Sequence, residues 1–162
     1  MTAVLLPFAA LLLAADPAEK GEWNQWRGPD RDGQSAVPLP TSLDEGAVKE
    51  AWRVTLGPSY SGPIVGVGPD GGKRVFTTET VGRAFETAKC LDADTGEQIW
   101  EAKWEGAMSV PFFAKANGDW IRSTPALLSD GAGGGILFVA GIRDVLVALN
   151  AADGEELWRV DF

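Results

Sequence analysis

Beyond its N-terminus the chain is a succession of short runs rich in β-branched and aromatic residues, punctuated by Gly, Asp and Asn. Helical periodicity is scarce there, so the runs read as strands joined by turns. Four are expected at Pro63–Val67, Arg74–Glu79, Phe85–Asp92 and Glu97–Ala102, and four more at Pro125–Leu128, Ile136–Ala140, Val145–Asn150 and Glu155–Val160.

The second set copies the first. Cys90-Leu91-Asp92-Ala93-Asp94-Thr95-Gly96-Glu97-Gln98-Ile99-Trp100 reappears as Ala148-Leu149-Asn150-Ala151-Ala152-Asp153-Gly154-Glu155-Glu156-Leu157-Trp158. A partial third copy, Ala51-Trp52-Arg53-Val54, matches Leu157-Trp158-Arg159-Val160. Pro63 to Phe76 and Pro125 to Phe138 are both 13 residues, whereas Phe76 to Gly96 is 20 and Phe138 to Gly154 is 16. The excess falls between Thr77 and Lys89, where a hairpin loop is expected to absorb it. Repeats of this kind predict an all-β fold, a β-propeller of four-stranded antiparallel blades. About two blades are present, plus one leading strand around Trp52. A ring takes about 4–8 blades, so the sequence reads as a fragment of a longer propeller, the alternative being that other copies of the chain complete the ring.

The turns Ala93–Gly96 and Ala151–Gly154 suit Gly, which accepts positive φ without steric cost. Trp100 and Trp158 lie four residues beyond each Gly. They and Trp52 are expected to fill the space between neighbouring sheets. Trp52, Gly96, Trp100, Gly154 and Trp158 are therefore the structural repeat motif.

The apolar run Ala3–Ala15 is too short to span a bilayer, which takes about 20 residues, and suits a signal peptide. The expected organisation is a signal peptide at 1–15, an N-terminal extension at 16–47 and a partial propeller at 48–162. Within the propeller, a blade at 61–104 and a blade at 121–162 flank an insertion at 105–120. Export to the periplasm or cell envelope follows. No Cys lies near Ala15, so lipid attachment at the end of the signal is not expected.

Composition removes several chemistries. The chain has no His and one cysteine, Cys90, so imidazole catalysis and an intrachain disulfide are excluded. A net charge of −9 argues against nucleic-acid partners. Gly66-Val67-Gly68-Pro69-Asp70-Gly71 fits a dinucleotide fingerprint but leads into a strand, not the helix that motif requires. Asp92 and Asp94 have calcium-loop spacing, but the twelfth position is Lys103 where an EF-hand needs Glu. Asp30-Arg31-Asp32-Gly33 reads as a polar turn. Trp23-Asn24-Gln25-Trp26-Arg27-Gly28-Pro29-Asp30-Arg31-Asp32-Gly33 reads as an N-terminal tie that packs its indoles onto the domain, the alternative being an exposed aromatic contact for a partner or a glycan, and the insertion Ala107–Trp120, with Met108, Phe112 and Phe113, is apolar enough to pack or to bind.

The Ala93–Trp100 motif and its copy resemble the tryptophan-docking repeat of PQQ-binding-like β-propellers. Trp26-Arg27-Gly28-Pro29 with Asp32-Gly33 is similar to the opening of exported bacterial members. The family includes quinoprotein alcohol dehydrogenases, which use PQQ and calcium, and the non-enzymatic β-barrel assembly machinery lipoprotein B. A lone Cys departs from the adjacent-cysteine disulfide of many such dehydrogenases, and no acidic residue matches their catalytic Asp. The resemblance therefore implies an exported, non-catalytic protein-interaction scaffold, with other proteins or the remaining blades as partners. No catalytic residue, metal ligand or cofactor is expected. The alternative is the N-terminal portion of a PQQ-dependent oxidoreductase, and Arg122, at the start of the second copy's inner strand, is then the cofactor-binding candidate.

Overall fold

A computed structural model describes residues 22–35, 41–42, 44, 48–106, 108 and 110–162. The expected signal peptide and much of the extension lie outside them. Two four-stranded antiparallel meanders are present. The first comprises β1 (Ile64–Val67), β2 (Lys73–Val81), β3 (Phe85–Asp92) and β4 (Gln98–Glu105). The second comprises β5 (Ala126–Ser129), β6 (Gly135–Ala140), β7 (Val145–Asn150) and β8 (Glu156–Asp161). Both are blades, and the sequence repeat is a repeat of register. Phe76 pairs with Cys90 and Cys90 with Trp100, while Phe138 pairs with Ala148 and Ala148 with Trp158. Each blade carries a bulge at the same place, between Cys90 and Leu91 and between Ala148 and Leu149.

Two expectations need correction. The four additional residues of the first copy do not swell a loop. Its ladder runs on to Val81 opposite Phe85, around the turn Gly82–Ala84. In the second blade the ladder ends at Ala140 opposite Leu146, and the Gly141 N–H donates to the Val145 carbonyl. Both tips are turns of similar size, so the first hairpin is longer because its strands are longer. The burial of Thr77, Thr78, Glu79 and Thr80 shows why: this extension is covered on both faces. The leading segment Ala51–Val54, in turn, joins neither sheet. Leu157–Val160 pairs with β7, and Trp52 has no such neighbour strand among the described residues.

The blades share one apolar core in which Phe76, Cys90, Trp100 and Trp104 meet Leu137, Val139, Val147 and Leu149. They approach closely at β1 and β5, where a Cβ on Gly66 would lie 2.3 Å from Leu127 Cδ2. The fingerprint-like glycines run strand, turn, strand: Gly71 N–H donates to Gly68 O, and β2 begins at Lys73. The insertion between the blades contains a short 3-10 helix, Phe112–Asn117.

Candidate interaction site at the blade junction

The repeat motif positions the junction. In each blade the first turn residue holds the turn together: Asp92 Oδ1 accepts the amides of Asp94 and Thr95, and Asn150 Oδ1 accepts that of Ala152. Gly96 and Gly154 have φ of +75° and +79°. The absence of a Cβ matters for a second reason. A Cβ on Gly96 would lie 2.7 Å from the Trp52 ring, and one on Gly154 2.6 Å from the Trp100 ring. The indoles rest flat against these turns and donate to them: Trp52 Nε1–H to Ala93 O at 2.9 Å, Trp100 Nε1–H to Ala151 O at 3.1 Å. Trp100 also packs on Phe76, centroids 5.9 Å apart, and is 7 % exposed. Trp158 has the same internal neighbour, Phe138 at 5.9 Å, but is 41 % exposed because no repeat turn covers it among the described residues.

The insertion sits at one end of this junction. Pro111 precedes the 3-10 helix and Gly118 ends it. Arg122 is tied to this helix: its Nη2 donates to Asn117 O at 2.9 Å and Gly118 O at 2.8 Å. The guanidinium stacks 5.6 Å from the Tyr60 ring, which packs on Trp120 at 5.3 Å. Tyr60, Ala116, Asn117 and Arg122 line a cleft of about 280 Å³. On the same 3-10 helix Phe112 and Phe113 form an edge-to-face pair left 83 % and 77 % exposed, and Met108 is exposed as well. Isolated exposed apolar residues are ordinary, whereas these two rings are paired with each other and left open.

The segment around Trp23 is a clasp across both blades. Trp23 exchanges two backbone hydrogen bonds with Val65 of β1, each 2.9 Å, and Asn24 O accepts from Leu127 N of β5 at 2.8 Å. Gly28 folds the chain back onto the Trp23 ring. Gln25 Nε2 donates to Pro29 O, and Arg31 Nε donates to Gln25 Oε1, so the turn is held by its own side chains. Trp26 is exposed, with Arg27 5.5 Å from its ring centroid.

Other polar groups are committed to the fold. Burial pushes the Cys90 thiol up to about 12, which removes its nucleophilic form. Lys89 Nζ bridges Glu79 at 2.7 Å and Glu101 at 3.4 Å. Burial would raise Glu79, but the bonds from Lys89 and the Gly57 amide outweigh it and the carboxyl lies below its ordinary range. The amides of Thr95 and Asp94 lower Asp92. No group of three or more metal-binding side chains occurs among the described residues. Sequence reasoning missed Thr80, Glu86 and Trp104, whose partners lie well away along the chain.

Two four-stranded antiparallel meanders that repeat each other's register define a PQQ-like β-propeller repeat protein. A family model described as outer membrane protein assembly factor BamB matches residues 41–117 and 84–162, and the chain belongs to that family. It is similar to the outer membrane protein assembly factor BamB of Yersinia pestis, 28 % identical over 133 residues. That alignment covers 80 % of this chain and 30 % of the relative, so the chain spans about 30 % of its relative's length.

Proposed function

We propose that this chain is the blade-forming portion of an exported, non-catalytic propeller scaffold that engages other proteins in the cell envelope. The observation that carries the reading is the combination of family and surface. The relative's name describes an assembly factor, and the exposed Phe112–Phe113 pair lies on an insertion pinned at the blade junction by Arg122. Loops held on rigid β scaffolds are where such proteins place their contacts. The reading asks no cofactor of this chain. Arg122, the cationic candidate, spends its Nη2 on backbone carbonyls, and the edges of β1 and β5 are bonded to Trp23 and Asn24.

The test has two arms. Proteins crosslinked in the envelope to wild type are compared with those crosslinked to the Phe112→Ala/Phe113→Ala variant. Loss of defined crosslinks with unchanged stability supports the reading; identical crosslinks count against it. Calorimetry with PQQ and calcium forms the second arm. A dissociation constant at or below about 1 μM, roughly −8 kcal/mol, overturns the non-catalytic reading and makes Arg122 the first residue to mutate.

A further inference from the structure

We propose that Glu86 is a proton-controlled latch between the two blades, built into the fold by the longer β2–β3 hairpin. Glu86 lies on the part of β3 that the second blade lacks. Four residues before Cys90 it is in the ladder opposite Thr80, whereas four residues before Ala148 the chain is already in the turn, at Asp144. The extension carries the Glu86 side chain to the tip of the shorter β6–β7 hairpin. There Oε1 accepts the Ile142 N–H at 2.9 Å, and Oε2 accepts Trp104 Nε1–H of β4 at 3.0 Å. The side chain is fully buried.

The site is shaped for a carboxyl. A Cβ on Gly106 would come within 2.5 Å of Glu86 Oε2, and one on Gly141 within 2.3 Å. Gly106 opens the insertion and Gly141 opens the β6–β7 turn, so a larger residue at either would push the carboxyl out. The neighbouring Thr80 Oγ1 accepts from Ile121 N at 2.9 Å, giving the first blade a second polar hold on the second.

No cation balances Glu86 among the described residues. Around it, β2 presents Thr80, β4 presents Trp104, and the β6–β7 turn presents the Ile142 amide and Val145. The charged residues on these elements are engaged elsewhere or exposed: Arg74 pairs with Asp70 and Asp92, Lys89 with Glu79 and Glu101, Lys103 Nζ lies over the Phe85 ring, and Lys73, Arg83, Glu105, Arg143 and Asp144 are exposed. Burial therefore raises the carboxyl above its ordinary range, although both donors oppose the rise. The sign follows. Unfolded, the group ionises near about 4.3; folded, it holds its proton to higher pH. Its contribution is full below the unfolded value and is lost as pH rises to the folded one. Protonation of Glu86 therefore adds to the stability of the joined blades and ionisation takes that share away, while the Ile142 and Trp104 N–H donors keep the carboxylate seated.

The test compares the full chain with Glu86→Gln, a neutral side chain of the same size. The ratio of their folding equilibrium constants is measured between pH 4 and 8. It is expected to fall with rising pH by up to about tenfold per unit, until the folded value is passed, and then to level off. In wild type the Trp104 indole N–H and Ile142 amide resonances should shift together, with one midpoint above the ordinary glutamate range. Trp104→Phe removes a donor to the ionised form and should move the Ile142 midpoint higher still. A ratio independent of pH overturns the proposal, as does a midpoint at or below the ordinary range. If Glu86→Gln fails to fold, the wild-type titration decides alone.

Discussion

Replacing Gly154 by Ala should loosen the second blade from the first, and its cost can be worked from the junction. The new methyl would lie 2.6 Å from Trp100 Cε3 and 2.8 Å from Cδ2. Carbon atoms prefer about 3.5–4.0 Å, so the indole must retreat by roughly 1 Å. That retreat stretches the Nε1–H bond to Ala151 O from its present 3.1 Å, a loss of about 1 kcal/mol. Re-exposing about 40–80 Å² of the ring adds about 1–2 kcal/mol at 25 cal/mol per Å². The left-handed backbone, φ +79°, adds about 1–2 kcal/mol for any residue with a Cβ. The total is about 3–5 kcal/mol. Gly71→Ala separates the parts, because Gly71 has φ +77° and nothing within 4 Å of its virtual Cβ. It should cost only the backbone share, about 1–2 kcal/mol. Urea unfolding of the full chain, followed by tryptophan fluorescence, measures both. If Gly154→Ala is no more destabilising than Gly71→Ala, the indole does not depend on that turn.

Trp100→Ala should cost about 3–5 kcal/mol, while Trp158→Ala, at the same place in its blade but 41 % exposed, should cost distinctly less; equal shifts in urea midpoint would contradict the covering of one indole only. Lys89→Met should destabilise by about 3–5 kcal/mol by leaving Glu79, itself 6 % exposed, without its partner; a midpoint unchanged from wild type would show that the ion pair contributes nothing net. Asp92→Ala should make unfolding less acid-sensitive. The Thr95 and Asp94 amides hold its carboxyl below the ordinary range, so its contribution is present above about pH 4 and lost as pH falls through the lowered value. A pH–stability curve unchanged by the substitution would refute this.

The blades were legible because the repeat is written in types with narrow conformational use. Gly96 and Gly154 mark left-handed turns, and β-branched and aromatic runs mark strands between them. β3 and β7 have the bounds expected from the sequence, Phe85–Asp92 and Val145–Asn150. Spacing alone could not say how four additional residues would be used. They lengthened a ladder because a polar strand segment, Thr77–Thr80, found partners in Gly57 and Pro58 of the leading segment and in Ile121. The leading Trp52 segment looked like a strand because it copies one, but a strand needs a ladder partner and the indole needs only a turn to rest on. The 3-10 helix at Phe112–Asn117 left no periodic signal, being too short to show one. Glu86 was hidden because its partners, Trp104 and Ile142, lie 18 and 56 residues away. The four-residue excess between copies brackets it, but spacing alone reads as a loop.

Hydrogen exchange of the tryptophan indole N–H groups, resolved residue by residue in the intact chain, tests the docking most directly. Trp52 and Trp100 donate to the Ala93 and Ala151 carbonyls of the repeat turns, and Trp104 to Glu86. These three should be protected by a common opening event. Trp26 and Trp158, exposed and without such an acceptor among the described residues, should exchange at close to the free rate. Rapid exchange at Trp100, or protection of Trp158 equal to it, would contradict two blades joined through an indole seated on its neighbour's turn.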